Sequence, residues 1–263
     1  MNQIRVAAWQ CHPLPLDVAG NLARLERTAE RAAAQGAGLL VVPELFTTGY
    51  AVGAAAVAEL AEPYDGPSAR EVARIATTHG LAIAWGFAER DGGAVYNAAA
   101  LVDADGSRLA HHRKAHLWGE VDRAQFSPAG RPPESFALRA DGTRAGLLIC
   151  YDVEFPEATR RLALQGARLF VVPTANPVGC EVVQDVLLRA RAAENGCALV
   201  YANYSGADEA LTYNGTSMVV GPDGAVLAVA GTDEDALLVA DVPLDGHRAG
   251  ADYLRDRAAE LYA

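Results

Sequence analysis

Two polar residues stand where buried apolar runs stop: Glu44 ends the stretch GLLVVPE, and Cys150 ends RAGLLIC. In open α/β sheets ligands bind beyond the carboxyl ends of the strands, so a carboxylate and a thiol at such ends are candidates for one site. A carboxylate beside an apolar strand costs free energy unless it is paired or neutralised, which separates Glu44 from an ordinary surface acid. Cys150 as a thiolate is a nucleophile; as a thiol it reads as a small buried hydrophobe. A third candidate lies in LAHHRKAHLWGE, where Arg113, Lys114, His116 and Glu120 follow a strand-like segment, each alternatively a solvated charge. His112 and His116 are spaced i, i+4 and would share one helix face as metal ligands. The segment lacks the glutamate of HExxH, and nearby Pro, Gly and strand signals argue against a helix, so no metal is assigned.

These residues need a scaffold, and the patterning supplies one. IRVAAWQ reads as a strand, and about 18–35 as an amphipathic helix with Leu22, Leu25 and Ala29 on one face and Gly36 as its stop. Residues 38–44, an apolar run broken by Pro43, read as a strand buried on both faces. A helix over Ser68 to His79 and strands LAIAWGFAE and VYNAAALVD follow. The second half repeats the alternation: strand 144–150, helix from about Pro156 to Gln165, strand 168–173, helix from about Cys180 to Asn195. Strands CALVYAN, TSMVVG and AVLAVA come next, the last two joined by the turn signal Pro222-Asp223-Gly224. The reading is one α/β domain over residues 1–263, with no linker. Periodicity does not say whether its strands form one sheet or two.

Composition narrows the partner. The chain has 263 residues, 51% apolar and 21% charged, the mix of a folded globular protein. A net charge of −11 argues against nucleic acid or an anionic membrane and leaves a small molecule. The opening residues carry no basic start with a long apolar run, and no apolar stretch of about 18 residues occurs, so a cytoplasmic protein is expected. The four cysteines form no CxxC pair, and the motifs GxSxG, P-loop and GxGxxG are absent, so no cofactor is called for. Arg191 and Glu194 are spaced for an ion pair on a helix.

Taken in order, Pro43-Glu44-Leu45-Phe46, Arg113-Lys114-Ala115-His116-Leu117 and Leu148-Ile149-Cys150-Tyr151-Asp152 resemble the three motifs of the nitrilase superfamily of carbon–nitrogen hydrolases. Phe155-Pro156-Glu157, the run from Arg189 to Asn195 and Tyr253-Leu254-Arg255-Asp256-Arg257 extend the resemblance over nearly the whole chain. It implies a four-layer αββα sandwich that pairs as a homodimer, with a C-terminal tail from about 241 to 263 lying against the partner. Cys-Tyr-Asp looks like the amidase branch more than the true nitrilases. Leu45 to Tyr50, Lys114 to Arg123, Pro173 to Asn176 and Tyr201 to Tyr204 are similar to the delta-aminovaleramidases and R-selective amidases within that branch, which have phenylalanine where Trp118 stands.

The resemblance implies a Glu44, Lys114 and Cys150 triad hydrolysing a small aliphatic amide, with an ω-amino amide such as 5-aminopentanamide as one candidate. Amide hydrolysis needs a nucleophile, a proton for nitrogen and oxyanion stabilisation. Cys150 would attack, Glu44 would shuttle the proton, and Lys114 with the backbone N–H of Tyr151 would hold the oxyanion. Glu120 is read as a second active-site acid, with Asp122 as its alternative. Trp118, Tyr50 and Asn176 are read as substrate-lining, and one of Glu120, Asp122 or Asp152 as the partner of a substrate ammonium. An N-carbamoyl amine hydrolase would use the same triad, and a silent binding protein on this fold would lack one member of it. None is missing.

Overall fold

The computed structural model describes residues 2–138, 142–245 and 252–261. Two six-stranded sheets lie face to face. The first runs β12 (Ala236–Pro243), β1 (Gln3–Gln10), β2 (Leu39–Val41), β3 (Ala82–Asp91), β4 (Ala94–Val102), β5 (Arg108–Arg113). The second runs β11 (Val226–Val229), β10 (Met218–Val220), β9 (Ala198–Ala202), β8 (Ala167–Pro173), β7 (Arg144–Leu147), β6 (Ser135–Ala137). The parallel strands β1, β2, β3 and β7, β8, β9 form the middle of each sheet.

Period-two alternation sorts the side chains into three layers. From β1 to β3, Ala7, Trp9, Leu40, Ile83 and Trp85 point outward to α1 (Val18–Ala34) and α3 (Pro67–His79). Val6, Ala8, Leu39, Val41, Ala82 and Ala84 point inward to the other sheet. Ala145, Leu147, Leu169, Val171, Ala198 and Val200 meet them there, and so many alanines in this layer let the sheets pack closely. Phe170, Val172, Leu199 and Tyr201 face α5 (Pro156–Leu164) and α6 (Leu188–Asn195). The result is the αββα sandwich that the resemblance implies.

The helices end where local chemistry ends them. The Asp17 side chain accepts from Gly20 N at 2.8 Å to open α1, and Gly80, in the left-handed region at φ 66°, closes α3. Two short helices, α2 (Ala54–Leu60) and α4 (Gly119–Gln125), sit in segments whose patterning gives no helix.

Four boundaries differ from expectation. The strand read over 38–44 stops at Val41, since Pro43 cannot donate to a ladder. The strand read to Cys150 stops at Leu147, and Cys150 begins a short 3-10 helix, Cys150–Glu154. The helix read from Cys180 opens as a π-type turn, Val183–Leu187. Residues 241–243, read as the start of a tail, belong to β12 and pair with Gln3 to Arg5 of β1. The rest of that tail falls partly on 246–251 and 262–263, outside the described residues.

Candidate active site

The loops that follow β2, β5, β7 and β8 converge at the carboxyl ends of the sheets. After Val41 the chain turns sharply, Leu45 adopting φ 48°, so that the backbone of Glu44 and Leu45 presses on β3. A Cβ at Gly86 would lie 2.2 Å from Leu45 N and 2.8 Å from Glu44 Cα, so only glycine allows this approach. Glu44 N donates to Thr174 O at 3.2 Å, joining the ends of the two sheets. Lys114, one residue past β5, donates its backbone N–H to Asn97 O at 2.8 Å. Cys150 is held at φ 44°, a left-handed conformation that costs a non-glycine residue about 1–2 kcal/mol. Arg191 anchors the far end of its helix, donating to Val153 O at 3.2 Å and Glu154 O at 2.6 Å while pairing with Glu194 as expected.

A wholly buried charge cluster results. Glu44 Oε1 accepts from Lys114 Nζ at 2.7 Å and from Asn97 Nδ2 at 2.6 Å, and its Oε2 is buried with no partner. The same ammonium donates to Asp122 Oδ2 at 2.6 Å, which also accepts from Trp118 N at 2.8 Å. The Tyr50 ring lies 5.6 Å from Lys114 Nζ. Burial, strengthened by the charge of Asp122 and opposed by Lys114 and Asn97, pushes the Glu44 carboxyl above its ordinary range. Burial works against the Lys114 ammonium, yet its acidic neighbours, Glu44 foremost, hold its pKa well above the usual lysine value. Lys114 therefore stays charged, and Glu44 is the member able to change protonation.

The Cys150 thiol is buried, with Thr174 and the backbone of Ala175 in hydrogen-bonding reach. Burial and the charge of Glu44 push its pKa up, and Lys114 opposes them. A protonated thiol in one enclosure with a carboxylate of raised pKa is a pair that can exchange a proton.

Of the other residues read from the sequence, the structure brings some in and leaves others out. Asp122 is in the cluster. Glu120 is not: its side chain is 92% exposed, 3.5 Å from Arg123. Trp118 and Tyr151 are half-buried beside the cluster, the Tyr151 ring edge-on to Phe155. Asp152 is buried and its carboxylate is fully engaged. It receives His112 Nε2 and His116 Nδ1, each at 2.8 Å, with the backbone N–H of Ala115 at 3.2 Å, His116 at 2.9 Å and Ile149 at 3.3 Å. His112 lies on β5 and His116 in the loop after it, so they meet on a carboxylate and share no helix face. Asn176 belongs to a buried amide network, donating to Gln184 Oε1 at 3.0 Å and Cys180 O at 3.1 Å. Arg113 points the other way, onto Glu89 and Asp91, both at 2.7 Å.

Sequence reasoning missed Asn97, Thr174 and Gly86. Asn97 carried a signal, a lone amide within the apolar run VYNAAALVD; Thr174 carried little, and the need for Gly86 arises only from a contact across strands.

Known proteins share this arrangement of elements. The chain is 51% identical over 98% of its length to a Pseudomonas protegens protein described as a hydrolase in the pqqF 5′ region, covering 90% of that protein. It is 39% identical over 85% of its length to an (R)-stereoselective amidase of a Pseudomonas species, covering 80% of it. Among solved structures, a mutant amidase from Nesterenkonia sp. AN1, carrying the Michael addition product of acrylamide at its active-site cysteine, superposes with a TM-score of 0.85 at 38% identity, over 98% of both chains. The carbon–nitrogen hydrolase model matches residues 5–251, and the chain therefore belongs to the carbon–nitrogen hydrolase family, as an amidase-type enzyme acting on non-peptide carbon–nitrogen bonds.

Proposed function

We propose that the protein hydrolyses small aliphatic carboxamides, ω-amino amides among them, to the carboxylic acid and ammonia through a thioester on Cys150. One observation carries the reading: Glu44 spends one oxygen on Lys114 and Asn97 and keeps the other buried without a partner. Such an oxygen is costly unless a proton or a substrate meets it.

Glu44 Oε2 takes the thiol proton as Cys150 Sγ attacks the amide carbon, and the carbonyl electrons move onto oxygen. The oxyanion lies against Lys114 Nζ and the backbone N–H of Tyr151; in the first turn of a helix such an N–H has no intrahelical acceptor. Protonated Glu44 gives its proton to the amide nitrogen, the C–N bond breaks and ammonia departs, leaving the thioester. Glu44 then deprotonates water, hydroxide adds to the thioester carbon, and the collapsing intermediate expels the sulfur, which recovers its proton. Lys114 keeps its protons throughout, since its pKa is held high. Asp122 fixes the ammonium and leaves Glu44 free to cycle.

Ammonia release from a panel holding butyramide, hexanamide, 5-aminopentanamide and an N-carbamoyl amine tests the reading. Release from the amides that vanishes in Cys150→Ala is expected. Carbon dioxide evolved with ammonia from the carbamoyl compound alone would replace it with an N-carbamoyl amine hydrolase, and Cys150-independent release would overturn the mechanism. We also infer a homodimer. Val182 and Val186, four residues apart, are 56% and 53% exposed, an apolar stripe of the kind an interface covers. Sedimentation equilibrium reads it directly, and a monomer at micromolar concentration would refute it.

A further inference from the structure

If an ω-amino amide is bound, its ammonium needs an anion, and three acids near the nucleophile are already committed. Glu120 is at the surface beside Arg123. Asp122 holds Lys114 and Trp118 N. Asp152 holds His112 and His116. A fourth acid, Glu154, ends the 3-10 helix that Cys150 begins. It is half-buried, and its carboxylate enters no hydrogen bond or ion pair among the described residues; only its backbone carbonyl is held, by Arg191.

We propose that Glu154 is the specificity-determining acid of this site, receiving the terminal ammonium of an ω-amino amide whose carbonyl stands at Cys150. The proposal rests on the reading of the preceding subsection. Four residues of 3-10 helix advance about 8 Å. An extended five-carbon acyl chain ending in nitrogen spans about 6 Å, to which the bond to sulfur adds about 2 Å. The lengths match for 5-aminopentanamide. Residues i and i+3 eclipse in such a helix, which sets Glu154 over Tyr151. Tyr151 and Phe155, the residues that Glu154 stands over and precedes, line a cavity of about 570 Å³ with Ala115, His116 and Leu117. Burial raises the Glu154 carboxyl while the charges of Lys114 and Arg191 lower it, so it lies within electrostatic reach of the cluster. Its own charge contributes, after burial, to raising the Cys180 thiol.

The test is the ratio of kcat/KM for 5-aminopentanamide to that for hexanamide, in which a methyl replaces the ammonium. The wild type should favour the amine by about 10- to 100-fold, the worth of a charge-assisted contact. Glu154→Gln should bring the ratio close to one, mainly through KM for the amine. Glu154→Lys should reverse the preference towards the monoamide of adipic acid, whose carboxylate takes the place of the ammonium. Glu154→Asp, which keeps the charge, should keep the preference should the other variants fail to fold. A wild-type ratio near one, or a ratio unchanged in Glu154→Gln, would overturn the proposal while leaving the amidase reading standing. Absence of Cys150-dependent release from every amide would instead bring down the amidase reading, and this proposal with it.

Discussion

Glu44 and Asp152 are both carboxylates at zero exposure, on either side of Lys114, and their environments drive them in opposite directions. Asp152 collects five donors: two imidazoles and three backbone N–H groups. Those bonds outweigh its burial and hold its carboxyl well below the usual range. Glu44 has two donors and an unpartnered oxygen, and burial wins. Burial alone therefore does not set the charge of these two carboxylates; the donors and charges around each decide it. Asp152 ties the helix of Cys150 to the loop of Lys114.

Glu44→Gln gives the largest effect. It preserves an acceptor for Asn97 and Lys114 and removes the base that we propose for both half-reactions, so kcat/KM should fall by about 1000-fold. Stability should move the other way. A group whose folded pKa is raised contributes stability that is full below its unfolded pKa and is lost as pH rises through the folded one. At pH 7 ionised Glu44 thus weighs against folding, and the variant should gain stability there, the gain shrinking towards pH 4. Chemical denaturation at both pH values reads this; a destabilised variant would show that Glu44 is an anchor after all.

Asp152→Asn supplies the opposite arm. A depressed folded pKa means stability present above the unfolded carboxyl pKa, near 4, and lost as pH falls below it. Removing the charge leaves two imidazoles and three N–H groups short of an anionic acceptor, at a cost of about 3 kcal/mol at pH 7 that narrows in acid. An unchanged midpoint at pH 7 would erase the contrast on which the comparison rests.

Much of this site was legible because each member of the proposed triad interrupts a recognisable pattern: Glu44 and Cys150 stop apolar runs, and Lys114 sits in a basic motif. The αββα order followed from the resemblance, while alternation alone left the number of sheets open. Residues whose role depends on contacts across sheets stayed hidden. His112 and His116 invited a metal because i, i+4 spacing means a shared face only in a helix, and β5 ends between them. Strand β12 escaped because its residues are only half-buried at a sheet edge, which blurs the apolar signal.

The two acids of α4 give the smallest effects and the sharpest discrimination. Glu120 and Asp122 are two residues apart, so about 200° of rotation separates them and only one can face Lys114. Sequence fixes the separation but not the helix's rotational phase. Asp122 faces inward at 2.6 Å from Lys114 Nζ, and Glu120 faces solvent. Asp122→Asn should lower kcat/KM by about 100-fold, because Glu44 would then carry the whole lysine charge and be drawn towards its ionised form. The acid limb of the pH–rate profile should shift to lower pH with it. Glu120→Gln loses only a solvent-screened pair with Arg123 and should leave kcat/KM within about twofold of wild type. A Glu120 variant that lost activity as Asp122→Asn does would mean that α4 turns its other face to the lysine when substrate is bound.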